Sequence, residues 1–141
     1  MPSQQQPSIY DAFEAFLRSV LPEGCKIFQA NMPFQQMQSL ARETAQVCTW
    51  LISADVPRVN SSGRTPVHDM TIEVNLFGTL AEADANANAV IDALVGEQIL
   101  SEGWDFVLHQ ARPGRRDIWE PQVQVKRVWL SFSGLVIEPS S

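Results

Sequence analysis

The run from Val67 to Val95, VHDMTIEVNLFGTLAEADANANAVIDALV, constrains the fold of this chain more than any other stretch. Met70, Ile72, Val74 and Leu76 alternate along it with Asp69, Thr71, Glu73 and Asn75. Successive side chains of a strand point to opposite faces, so this period of two predicts a strand with one buried and one wetted side. Gly78 breaks the strand, Thr79 stands where a helix N-cap belongs, and Glu82 follows three residues on. Thr-x-x-Glu is a capping box, in which two side chains satisfy backbone N–H groups that a helix start leaves without partners. Leu80, Ala83, Ala87, Val90, Ile91 and Leu94 then fall at helical spacing, and Gly96 is placed to close the helix. The unit is a strand feeding an amphipathic helix, and nothing in it is catalytic.

Residues 1–7 carry three glutamines and two prolines and read as a loose arm. Ser8 offers an N-cap, Asp11 complements the dipole of the first turn, and Ile9, Phe13, Phe16, Leu17 and Val20 form a continuous apolar stripe. Pro22 and Gly24 end this first helix. Cys25–Ala30 reads as a short strand. Pro33–Gln46 has two readings: a helix on Phe34, Met37, Leu40 and Ala41, or an extended glutamine-rich excursion. Val47–Ala54 is a strand apolar on both sides, which predicts burial on both faces or a subunit contact. Asp55–Pro66, with its prolines, glycine and arginines, reads as a loop.

Trp104–Ala111 forms another strand, and Arg112–Pro121 (RPGRRDIWEP) reads as a second loop. The last strand runs from Gln122 to Ile137, but its alternation slips. Val123 and Val125 share one face while Val128, Leu130 and Phe132 share the other. A bulge near Lys126–Arg127 would reconcile them. Residues 139–141 read as a frayed end. The expectation is one α+β domain over residues 8–138. Two helices pack on one face of an antiparallel or mixed sheet, in the order α-β-(open segment)-β-β-α-β-β.

A chain of 141 residues is long enough to bury one substantial core. Its net charge of −6 opposes general nucleic-acid binding, which needs a positive surface to displace counterions. No apolar run approaches the roughly 20 residues that cross a bilayer. The start, MPSQQQPS, lacks the basic and apolar regions of a signal peptide, so the expected compartment is a reducing cytoplasm. Cys25 and Cys48 fit no metal or redox spacing and read as small core residues.

Catalytic patterns are missing. His68 and His109 lie inside strands with no nucleophile motif beside them, and no G-x-S-x-G, H-E-x-x-H, Walker loop or G-x-G-x-x-G occurs. Asp84-x-Asn86-x-Asn88 opens like a calcium loop, but Ala89 and Val95 stand where glycine and glutamate are required. Asn60-Ser61-Ser62 matches a glycosylation acceptor that only an exported chain would use. No catalytic, cofactor-binding or metal-binding residue is expected.

The cluster Arg112, Arg115 and Arg116, with Trp119 nearby, reads either as a solvated turn or as a contact with an acidic surface or a phosphate backbone. Arginine and tryptophan are enriched at interface hot spots, and without a broad basic field a protein partner is favoured. Trp50, Trp119, Trp129 and Val123 exceed the needs of one core. Two helices cover one side of a sheet, so the other side meets water or a partner. A symmetric homo-oligomer is the economical answer.

Three stretches carry a resemblance: the opening helix IYDAFEAFLRSVLP, the unit MTIEVNLFGTLAEADANANAVIDALV, and the closing pair WDFVLHQARPGRRDIWEPQVQVKRVWLSFSGLVIE. Over Ile9–Glu138 this pattern resembles the tail terminator (tail completion) proteins of long-tailed bacteriophages. The resemblance implies a small α/β domain that forms a hexameric ring on the last ring of the tail tube and presents a surface to the head–neck connector. It implies no enzyme and no cofactor. The expected partners are further copies of the chain, the tail-tube protein and the connector, with no membrane and no sequence-specific nucleic acid. The expected place is the head-proximal end of a virion tail, after assembly in the host cytoplasm.

In such a ring, Trp50, Trp119 and Trp129 are expected at subunit contacts. The loops bearing Arg58, Arg64, Arg112, Arg115 and Arg116 would face the tube or the connector. Glu73 and its polar row would line the lumen or meet Arg58, Arg64 or Arg115 of the next copy. The rival readings are another phage ring protein (a head–tail connector or a tail-tube subunit), a small cytoplasmic enzyme with a pocket on His109, Arg116 or Asp117, and a protein-binding adaptor.

Overall fold

The computed structural model describes residues 7–29, 46–58, 67–95, 98–121 and 125–139. The arm before Pro7, Arg64, Gly96, Val123 and most of the Pro33–Gln46 segment lie outside the described residues. Within them the domain has the expected α+β architecture, with two helices packed on one face of a six-stranded sheet of order β1-β2-β3-β6-β5-β4.

Helix α1 spans Ile9–Val20, and the Ser8 hydroxyl accepts from the Asp11 backbone N–H as its cap. The apolar stripe buries Ala12, Phe13, Phe16 and Leu17. Strand β1 (Lys26–Gln29) runs parallel to the start of β2 (Val47–Arg58). Every other pairing is antiparallel: β2 with β3 (Val67–Gly78), β3 with β6 (Val125–Ile137), β6 with β5 (Trp104–Glu120), and β5 with the short β4 (Ile99–Ser101). The period of two in β3 works as expected. Met70, Ile72, Val74 and Leu76 enter the core beneath helix α2 (Leu80–Leu94). Thr79 caps α2 by accepting from the Glu82 N–H, while Glu82 Oε2 has no hydrogen-bond partner.

Several expectations are corrected. Strand β2 runs on to Arg58, so the first part of the expected 55–66 loop is ladder. Strand β4 was not foreseen; three residues carry too little pattern to stand out. The expected loop Arg112–Pro121 is mostly strand, because β5 continues to Glu120 and pairs along β6. Its Pro-Gly pair is absorbed in an irregularity. Gln110 faces Phe132 and Arg115 faces Leu130, so four residues of β5 lie opposite one of β6. The bulge expected near Lys126–Arg127 is absent, since β6 pairs with β3 without a register shift from Lys126 to Ile137. Val125 instead joins Val47 and Phe77 in a small second apolar cluster on the opposite face, with Phe28 packed against it. The slip in the pattern is a change of partner, not of register.

Both observed irregularities turn side chains over. In β2 the register shifts by one residue between Ile52 and Ala54. A one-residue shift exchanges the two faces of a strand. Asp55 therefore shares the helix-side face with Met70 and His68, and Val56 and Arg58 point outward. In β5 the shift is three residues, again odd, so Arg115 and Asp117 continue on the helix side where Phe106 and Leu108 lay before it. Arg116 and Ile118 face outward.

Candidate functional site

The outer face of the sheet is the one on which neither described helix lies. Register alone sets its rows. Thr49, Asn75, Trp129 and Arg116 lie side by side across β2, β3, β6 and β5. Nε1 of Trp129 donates to a Glu73 carboxylate oxygen at 2.6 Å, and the Arg116 guanidinium lies 5.5 Å from the centre of the Trp129 ring. That places an indole between an acceptor and a cation, an arrangement that attracts through the negative face of the ring. Beside it, Arg127 donates through Nε to Asn75 Oδ1 at 2.9 Å and lies 5.8 Å from the Phe77 ring centre. Two rows beyond Trp129, on the side of Glu73, Thr71 and Ser133 exchange a hydroxyl hydrogen bond at 3.0 Å.

At the far end of this face a row runs Val56, Asp69, Leu135, Val107. Val56 and Val107 are exposed, as is Leu100 on β4. Arg58 pairs with Asp69 there through two hydrogen bonds. Apolar side chains are left in water beside polar ones, the mixture found on interaction surfaces.

Of the residues singled out in sequence, Glu73, Arg116 and Trp129 are brought together on this face. Arg58 shares the face but is engaged by Asp69. Trp119 is 53% exposed at the end of β5, opposite Lys126. Arg112 is in β5, and Arg64 lies outside the described residues. Trp50 is a correction. It is 1% exposed, packed 4.8 Å from the Phe13 ring and 5.8 Å from Tyr10, and so belongs to the core of this chain. Its two-sided strand placed it inside, not at a contact.

Arg115 is also turned inward. Nη2 bonds Asp84 and Nη1 donates to Asn88 Oδ1 at 3.0 Å, both on α2, while Nε donates to Asp117 at 2.8 Å. Lys126 Nζ approaches the other Asp117 oxygen at 3.0 Å. The Arg115 hydrogen bond, with the nearby Lys126, holds the Asp117 carboxyl well below the usual range, at about 2. This network fastens β5 to α2, and the odd shift in β5 creates it. Sequence reasoning had no means of locating that shift.

The enzyme pocket expected on His109, Arg116 or Asp117 is not assembled from these three residues. His109 and Arg116 lie on the outer face in different rows, and Asp117 is on the helix side. Cys25 and Cys48 are buried free thiols, and burial pushes Cys25 up to about 11, which suits core residues and not nucleophiles. Among the described residues, no group of three or more His, Cys, Asp or Glu is disposed to hold a metal ion. No described helix is long and apolar enough to cross a membrane.

No protein-family model and no curated protein matches the sequence. Among solved structures, the chain is similar to a chain of the virion of a native gene transfer agent particle. The identity is 22%, over 87% of this chain and 85% of that one, with a TM-score of 0.48.

Proposed function

We propose that this chain is a structural, non-enzymatic protein of a phage-like virion, and specifically a ring-forming subunit that closes the tail tube and joins it to the head–neck connector. The observation that carries the reading is the outer sheet face. It is free of both described helices, it holds the Glu73–Trp129–Arg116 arrangement, and it leaves Val56, Val107 and Leu100 in water. The resemblance in element order to tail terminators supplies the particular ring, its hexameric form and its two neighbours.

In the ring, the outer face meets the next copy or lines the lumen, and exposed Trp119 reaches an axial partner. Glu73→Lys tests this. The change breaks the Trp129 hydrogen bond and sets a second cation beside Arg116 while leaving the core untouched. The expected result is a folded monomer, by circular dichroism, whose assembly is weakened at least tenfold in sizing with light scattering. A variant that assembles as well as the parent would reduce the face to a wetted surface.

A further inference from the structure

His68 has both ring nitrogens engaged by carboxylates, and the proposed ring has no use for it. Its side chain is 15% exposed at the end of β3, on the helix side of the sheet. Nδ1 lies 2.7 Å from Asp55 Oδ1 and Nε2 lies 2.8 Å from Glu138 Oε2. A carboxylate only accepts, and a neutral imidazole has one N–H, so two good bonds to two carboxylates require both ring nitrogens to donate. The geometry therefore calls for the imidazolium. The two carboxylates stand at different ring nitrogens, so they grip the ring from separate sides instead of converging on a point where an ion would sit.

Three parts of the chain meet at this ring. Asp55 comes from the outer half of β2, and only because the one-residue shift near Ser53 turns it to the face of His68. Glu138 follows β6 at the C-terminal end. From β5 the uncharged ring of Trp104 lies 6.4 Å away, and its Nε1 donates to the Pro7 carbonyl, so the N-terminal approach to α1 is tied in as well. The ion pair of Arg58 with Asp69 alternates in register with His68 and so occupies the opposite face of the same strands.

We propose that His68 is a proton-operated latch, closed as an imidazolium between Asp55 and Glu138, that fastens the end of β6 and the outer half of β2 to the centre of the sheet. Loss of the proton leaves one N–H for two carboxylates, so one bond becomes a lone pair facing a negative oxygen. The latch then opens, and the Glu138 end comes away from β3.

The direction in pH follows. Burial pulls the His68 imidazole toward its neutral form, but the hydrogen bonds to Glu138 and Asp55 and the charges of both outweigh it and raise it above the ordinary 6.5. A raised folded value means that the stabilisation is complete below the unfolded value and is lost as pH rises through the folded one. The latch is closed in acid and opens on the alkaline side.

The test uses the full chain carrying His109→Gln, an exposed position on the other face, so that one imidazole remains to be followed by nitrogen and carbon magnetic resonance from pH 5 to 9. The expected result is a His68 that is doubly protonated at pH 6.5 and loses its proton above the range of a free histidine. Amide protection at Val136–Glu138 should fall over the same interval. Glu138→Gln should move the His68 transition to lower pH with the fold intact by circular dichroism. A ring that is neutral at pH 6.5, amide protection that ignores its titration, or a transition that Glu138→Gln leaves in place would each overturn the proposal. Should the doubly substituted chain not fold, the His109→Gln chain still decides the matter through its first two readouts.

Discussion

Gly134 of β6 pairs with Leu108 of β5 at a close approach of the two backbones. A Cβ there would collide with the Val107 carbonyl oxygen and lie 3.0 Å from Leu108 Cα, both backbone atoms that cannot swing aside. Gly134→Ala should therefore destabilise by about 2 kcal/mol or more, the range of an overpacked site, as a lower denaturant midpoint at unchanged slope. Two tryptophans separate core from surface. Trp50 is enclosed with Phe13, and its truncation to alanine should cost about 3–5 kcal/mol in the isolated monomer. Trp119 is exposed, so Trp119→Ala should change monomer stability by less than about 0.5 kcal/mol. In the proposed ring its effect belongs to assembly with a partner, and the same denaturation series on both variants makes the contrast.

Strand β3 and helix α2 were legible because each signal is local: an unbroken alternation, then a capping residue at the turn. Helix α1 was legible for the same reason, with its Ser8 cap and apolar stripe. Strand β5 was not. Arg112–Pro121 has the composition of a loop, and the sequence carries no sign that β6 offers a continuous ladder to hold it extended. Nor does it show where the three-residue shift falls, and that shift decides that Arg115 turns inward while Arg116 turns outward. The candidate site was accordingly read in part. Glu73, Arg116 and Trp129 were singled out from composition, and their meeting in one place depended on a register between distant strands.

The β5–α2 clamp contributes to stability in a way that depends on charge. Arg115→Gln removes the charged bonds to Asp84 and Asp117 in a half-buried setting and should destabilise on the order of 1 kcal/mol. Asp117 is lowered by its Arg115 partner, so its contribution is present above the unfolded value near 3.8 and is lost as pH falls toward about 2. The difference between parent and variant should therefore shrink in acid, and thermal melts at pH 7 and pH 2.5 would show it.

At the scale of the molecule, the sheet divides two tasks. One face carries both described helices and the core, in which Phe132, Ile72, Leu130 and Val74 are completely enclosed. The other combines aromatic, cationic and aliphatic side chains in rows that neither described helix covers. A monomer gains nothing from leaving Val56, Val107 and Leu100 in water, whereas repeated contacts between identical copies put such a surface to use. Closed rings require one contact geometry repeated until it returns to its start, and an open geometry gives filaments instead.

Negative-stain electron microscopy of the purified chain, across a range of concentrations, separates these outcomes directly. The proposed function predicts closed rings of one diameter that do not stack into tubes. Single particles of monomer size at every concentration, or long open tubes grown from the chain alone, would contradict it.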